Sequence, residues 1–406
     1  MGDIATVFDG PHATPKKTES GPWYLSISSL KQGRFDFAAS AHLSSVDLPR
    51  WTKRVMPMPG DTLFSYETRL GDAAYWRHSF DSALGRRMGL LRPDPERVDP
   101  RFLSYVFLGP EFQDVIRQKT LSGSTVDRIP VGDIPAWPVR LPGLAYQRVV
   151  AQILGSIDDL IENNKRRVEV LEEMARVIYR EWFVHFRYPD HETVPLVDSL
   201  LGPIPEGWSW ATVDDLVGVA KETLDPSLLD PATPAVGLEH IPRKQITLDD
   251  WGRAGDLGSR KATFKKGDIL FGKIRPYFHK VSVAAIDGIC STDAIVIRPK
   301  PVHWGEAVAV IASDEFVAHA TQTSNGTKMP RADWKVIGKY PVVVPPTSIS
   351  SNFTQVIRDH LDLADRLMFE SRRLAEMRDL LLPKLVTGQF DVSTLDLDGL
   401  LEGAVA

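Results

Sequence analysis

The sequence predicts an α+β chain: two tandem mixed α/β domains, each followed by a long amphipathic helix, related by an internal repeat. Three observations carry this. The chain has 406 residues, against roughly 150 for an ordinary domain. Its second half echoes the first at a displacement of about 206 residues, and a repeat that long means duplicated domains. Two stretches place apolar residues at alternating steps of three and four, the signature of a helix with one buried face.

Composition narrows the class. With 43% hydrophobic and 25% charged residues, the chain reads as folded and globular. A net charge of −5 excludes a generally basic nucleic-acid-coating protein but leaves room for local basic surfaces. The acidic excess sits in residues 146–206 and in the tail 391–406, so the two larger blocks are near neutral. The single cysteine, Cys290, excludes an internal disulfide framework and a multi-cysteine zinc site. No basic-then-apolar leader and no run of about 18 apolar residues occurs, so a cytoplasmic chain with no membrane partner is expected.

The first domain is expected over residues 1–145. Strand-like runs cover Trp23–Ser28 and Asp61–Ser65, and a helix covers Arg101–Thr120. A polar glycine turn follows at Leu121-Ser122-Gly123-Ser124-Thr125, then a β-like run with prolines, Ile134–Val139. The second domain, 207–345, repeats these parts. Met58-Pro59-Gly60-Asp61-Thr62-Leu63-Phe64 returns as Lys265-Lys266-Gly267-Asp268-Ile269-Leu270-Phe271. Strands are expected at Asp268–Phe271, Ala294–Arg298 and Pro341–Pro345, with a helix near Trp304–Thr321 and a glycine turn at Thr323–Thr327. The string Arg187–Pro195 reads as extended chain, and residues 188–206 as a linker.

The helices occupy 146–187 and 346–390. In the first, Leu154, Ile157, Ile161, Asn164, Val168, Leu171, Ala175, Ile178 and Trp182 form a heptad seam with one polar break. Leu363, Leu367, Glu370, Leu374, Met377 and Leu381 repeat it, with Glu370 opposite Asn164. Pro383 is expected to end the second helix and leave the first the longer. Charged flanks such as Lys165, Arg166, Glu172 and Glu173 favour a helix packed on another helix, for which the matching helix of the same chain is the obvious partner. Asn164 and Glu370 would then fix register at some cost in stability.

The catalytic search is negative. No dinucleotide or S-adenosylmethionine fingerprint, phosphate loop, zincin motif or nucleophile elbow is present. His185 and His191 are spaced wrongly to stack on a helix, and Cys290 reads as a small buried hydrophobe. What remains is binding. Lys273, Arg275 and Tyr277 follow a strand, and Arg and Lys can neutralise phosphates or read base edges while rings stack. Thr327, Lys328 and Arg331 offer the same chemistry on the glycine turn. The first domain's weaker counterparts are Tyr66 and Arg69, then Ser122, Ser124, Thr125 and Arg128.

In this order the parts resemble a type I restriction-modification specificity subunit. The resemblance covers nearly all of the chain. It rests on the Gly-Asp-x-Leu-Phe string, the glycine turn, the proline-bearing run and the heptad helix, each occurring twice, and on the junction Trp182–Pro189 through Val197–Trp208. One departure is that the segment Glu206–Trp210 ahead of the second domain has no counterpart before Met1. The resemblance implies a DNA-reading subunit without catalysis of its own. Two target-recognition domains would each read half of a bipartite, asymmetric double-stranded site, held apart by two spacer helices paired antiparallel as a coiled coil. A helix of some 35 residues would be about 50 Å long, against about 34 Å for one turn of DNA. Two modification (methyltransferase) subunits would dock on this core, joined by restriction subunits with translocase and nuclease activity. S-adenosylmethionine, ATP and magnesium would belong to those partners, with no cofactor bound by this chain. The alternatives are a chain with its own methyltransferase or nuclease activity, and a coiled-coil protein adaptor that does not bind DNA.

Overall fold

The computed structural model describes residues 1–390 apart from Gln32, Ser124, Thr125, Leu200, Leu201 and Leu257. The expected acidic tail, 391–406, lies outside the described residues. The chain divides into two compact units: Met1–Leu160 with the segment from Arg373 onward, and Ile161–Arg372. The division cuts across both long helices, so each unit holds one globular block and part of each helix, a grouping the linear boundaries did not convey.

In the first unit a four-stranded antiparallel sheet runs in the order Ala5–Asp9, Met88–Pro93, Thr62–Ser65, Ala73–Tyr75. In the second the order is Val217–Val219, Ala294–Pro299, Ile269–Gly272, Val281–Val283. Each unit adds a second sheet containing one parallel pair. These are Lys17–Leu25 beside Ser82–Leu84, and Pro234–Val236 beside Gly288–Cys290. The repeat is therefore one of topology as well as of sequence.

The Gly-Asp-x-Leu-Phe string owes its recurrence to packing. Gly60 and Gly267 adopt φ of 103° and 88°, conformations that side chains avoid, which lets the chain turn into the strand. Asp61 and Asp268 are buried at 2% and 3% exposure. Asp61 accepts from Met58 N at 2.7 Å and takes a two-pronged bond from Arg92 at 2.9 and 2.8 Å. Asp268 repeats the arrangement with Lys265 N at 2.9 Å and Arg298 at 2.9 and 2.7 Å. Such a bidentate pair clamps the turn to the central strand of each sheet. The following Leu and Phe are fully buried in both units.

Several expected elements differ. The helix over Arg101–Thr120 is two helices, Pro100–Leu108 and Pro110–Lys119, because Gly109 is extended and Pro110 cannot continue the hydrogen-bond ladder. Its counterpart likewise splits into Trp304–Ile311 and Asp314–Gln322, where Ser313 caps the second piece by accepting from Phe316 N. The run Ile134–Val139 is not a strand: a 3-10 turn spans Val131–Ala136. The carbonyls of Pro135 and Trp137 accept instead from Gly2 N at 2.8 Å and the Met1 ammonium at 2.6 Å. Pro341–Val344, by contrast, pairs with Ser209–Thr212. The expected linker is folded as well. Tyr188 and Ile204 are buried, and Leu196–Val197 pairs with Ile204–Pro205.

The first long helix spans Leu144–Tyr179 and continues without a break as a π-helical turn over Arg180–Val184, and the second spans Thr347–Val386, so the two are of nearly equal length. Pro383 lies inside the second, and helix formation continues because Leu385 and Val386 are buried in the core of the first unit. Within that unit Arg378 bonds Asp158 at 2.8 Å and Tyr146 Oη donates to Leu385 O at 3.1 Å. Within the second unit Asn164 meets Glu370, Val168 packs with Ala364 and Leu367, and the rings of Phe183 and Phe353 lie 4.7 Å apart. In both sets the partner number falls as the residue number rises, so the helices are antiparallel. Leu154, Ile157, Ile161, Asn164, Val168 and Ala175 are buried, and Leu171, Leu363, Leu374 and Leu381 half-buried. Met377 is 43% exposed, and the second helix instead buries Phe353, Ile357, Leu361 and Ala364.

Candidate nucleic-acid interface

Two loops far apart in sequence meet in each unit. In the second, the chain leaves the strand Ile269–Gly272 and runs beside the glycine turn. Arg275 N donates to Pro330 O at 2.7 Å, and Ala332 N donates to Lys273 O at 2.9 Å. The turn is closed on itself by Asn325 N to Arg331 O at 3.0 Å and the reverse bond at 2.9 Å. In the first unit Ile129 N donates to Tyr66 O at 2.8 Å, Glu67 bridges Arg128, and Leu121 exchanges bonds with Arg128 at 2.9 and 3.0 Å.

A backbone detail marks both sites. Arg275 adopts φ 51° and Thr68, at the corresponding place after its strand, adopts φ 66°. Non-glycine residues there are strained by about 1–2 kcal/mol, and such strain concentrates at functional positions. The tertiary match thus sets Thr68, not Arg69, opposite Arg275.

The side chains divide unevenly. In the second unit Tyr277 is 52% exposed, and Thr327, Lys328 and Arg331 are exposed. Lys273 is half-buried and donates to Thr292 O at 2.5 Å. Arg275 is half-buried, and its Nε is buried without a hydrogen-bond partner among the described residues. In the first unit Ser122 and Arg128 are exposed, while Ser124 and Thr125 lie outside the described residues. Tyr66 is buried at 5% and belongs to the core, and burial raises its phenol. Arg69 is committed internally, donating to Ile27 O and pairing with Asp72 at 3.4 Å.

One residue was not legible from the sequence. The Arg243 guanidinium lies 4.2 Å from the centre of the Phe278 ring, with that of Arg275 at 5.9 Å. Stacking preorganises an arginine for planar recognition. The backbone bridge between Arg243 and Lys280 and the bond from Lys244 N to His279 O at 2.9 Å bring it there, so no local motif could have revealed it. Burial lowers the Lys280 ammonium, with nearby Arg243 adding to the effect, and burial likewise lowers His279. A pocket of about 480 Å³ beside the loops is lined by Lys221, Lys273, Asn325, Arg331 and Trp334 among others. Three cations, the Asn325 amide and the Trp334 ring share this depression with the Asp333 carboxylate and an apolar floor that includes Val219 and Val296.

Among the described residues no cluster of three His, Cys, Asp or Glu side chains could hold a metal, and no helix is long and apolar enough to cross a membrane. Cys290 is buried, and burial pushes its thiol up to about 12.

No protein-family model matches the chain. It is similar to the type I restriction enzyme EcoDI specificity subunit of Escherichia coli, with 27% identity over 252 residues. The match takes in 55% of either protein, so the chain spans about half the length of that relative. It is 22% identical over 410 residues to the HindI specificity subunit of Haemophilus influenzae, covering 84% of this chain and 89% of the relative. The crystal structure of a type I restriction-modification S subunit from M. genitalium shares the fold. It has a TM-score of 0.53 and 14% identity, over 95% of this chain and 94% of that one. The chain thus resembles type I specificity subunits in sequence and shares their mixed architecture with long helices.

Proposed function

We propose that this chain is the DNA-recognition subunit of a type I restriction-modification complex, resembling in sequence and fold the specificity subunits it matches. Each unit reads one half of a bipartite, asymmetric double-stranded site through its paired loops. In the second unit Arg275, Arg243 and Tyr277 face the bases while Lys273, Lys328, Thr327 and Arg331 hold phosphates. In the first, Ser122 and Arg128 carry the contacts, and Tyr66 and Arg69 support the loop from within. The single observation that supports this reading most is the recurrence of two loops hydrogen-bonded together, each with an exposed arginine and a left-handed residue. A protein adaptor would not need that pairing twice.

The same reading gives the chain no catalysis of its own. Modification subunits dock on the long helices and bring S-adenosylmethionine, and restriction subunits bring ATP and magnesium. The test is selection of duplexes from a random pool by the purified full chain, with and without modification subunits. The expected result is an enriched sequence in two halves separated by unspecified base pairs. No enrichment in either arm would favour the adaptor reading. Transfer of labelled methyl groups from S-adenosylmethionine by the chain alone would overturn the non-catalytic assignment.

A further inference from the structure

The two glycine turns share a feature beyond their cations. Val126 in the first unit and Met329 in the second lie three residues after the turn glycines, Gly123 and Gly326, and two before the exposed arginines, Arg128 and Arg331. Both are exposed, at 37% and 49%. A Cβ on Gly123 would collide with the Val126 carbonyl oxygen, and Gly326 adopts φ 96° against the Met329 carbonyl. A single exposed apolar residue is ordinary on a protein surface. Here two stand at the same register, between a glycine and an arginine that both loops share.

We propose that Val126 and Met329 are apolar wedges, each entering a base step of the bound duplex and unstacking it. This rests on the DNA-reading function proposed above and adds a deformation step to it. The neighbourhood selects this partner. A protein surface covering these residues would need an apolar patch, whereas Met329 is followed by Pro330 and Arg331 and preceded by Lys328 and Thr327, and Val126 is followed by Asp127 and Arg128. At Met329 cations stand on both sides of the apolar side chain, which suits a residue inserted between phosphates; at Val126 Arg128 alone supplies that charge. Steps that unstack readily would then be preferred without direct hydrogen bonds, a source of specificity separate from Arg275.

The test uses the full chain alone with the duplex it enriches from a random pool, carrying 2-aminopurine at successive positions. Fluorescence is expected to rise at one step in each half-site on binding. Met329→Ala should abolish the rise in one half only and weaken binding by roughly tenfold, Val126→Ala should do so in the other half, and Met329→Leu should keep the rise. An enriched sequence with 2-aminopurine quenched at every position, or a rise that survives both alanine variants, overturns the wedge and leaves DNA reading intact. Failure to enrich any sequence removes both.

Discussion

Asn164 Nδ2 donates to Glu370 Oε2 at 3.1 Å, and these residues lie 206 apart, the displacement that relates the halves of the sequence. In an antiparallel pair of helices built from a repeat, only the residue nearest the centre can meet its own counterpart. Every other seam position meets a residue displaced in the opposite sense, as Asp158 does with Arg378. Asn164 is 4% exposed while Glu370 is exposed, so the amide is desolvated and the carboxylate keeps its water.

That asymmetry predicts the effect of Asn164→Leu. Removing a buried amide from an apolar seam should raise the melting temperature, since a polar seam residue fixes register at a cost in stability. Glu370 stays solvated, so no charge is stranded. The register should loosen, seen as mixed species in sedimentation. If melting and assembly are both unchanged, the pair has no role in register.

Asp365 gives a pH-dependent prediction. Burial pushes its carboxyl from the ordinary 3.8 up to about 6, opposed by Lys266 and reinforced by the charges of Asp362 and Glu172. A raised folded pKa favours the protonated form, so this group's contribution to stability is present below about pH 4 and is lost as pH rises through about 6. Asp365→Asn should therefore stabilise the protein at pH 7.5 by roughly 2–3 kcal/mol, with the gain vanishing near pH 4. Thermal melts of both proteins across that range check it, and a lower melting temperature for the variant at pH 7.5 would contradict it.

Arg275 allows stability and recognition to be separated. Arg275→Ala and Arg275→Gly both remove the guanidinium and should weaken DNA binding by about 1–3 kcal/mol. Glycine alone relieves the left-handed conformation, so Arg275→Gly should be more stable than Arg275→Ala by about 1 kcal/mol. Equal stability would mean that the strain is absorbed elsewhere, and unchanged affinity would take Arg275 out of the interface.

Lys328 is exposed on the glycine turn and is assigned to a phosphate. Lys328→Ala should lower affinity similarly for all sequences and reduce the salt slope by about 1, with the melting temperature unaltered. Binding titrations from low to moderate salt measure the slope, and a change of base preference would reassign the residue.

Much of this was legible in the chain itself. The repeat, the strands around Asp61 and Asp268, the two long helices and the loops bearing Arg128, Lys328 and Arg331 all follow from local pattern, because turn chemistry and hydrophobic period act over a few residues. The ends of elements were less legible. Pro383 reads as a stop, yet burial of Leu385 and Val386 outweighs the lost hydrogen bond.

The sequence by itself determined the duplication, the polar centre of the seam and the positions of the candidate loops. Only the tertiary structure decided which side chains those loops present. It buried Tyr66, committed Arg69 to Ile27 and Asp72, stacked Arg243 on Phe278, and put both Thr68 and Arg275 in the left-handed conformation. The reason is physical. Exposure and stacking depend on contacts between segments tens of residues apart, such as Arg243 with Phe278, and no periodicity or motif along the chain encodes which distant surface a side chain will meet.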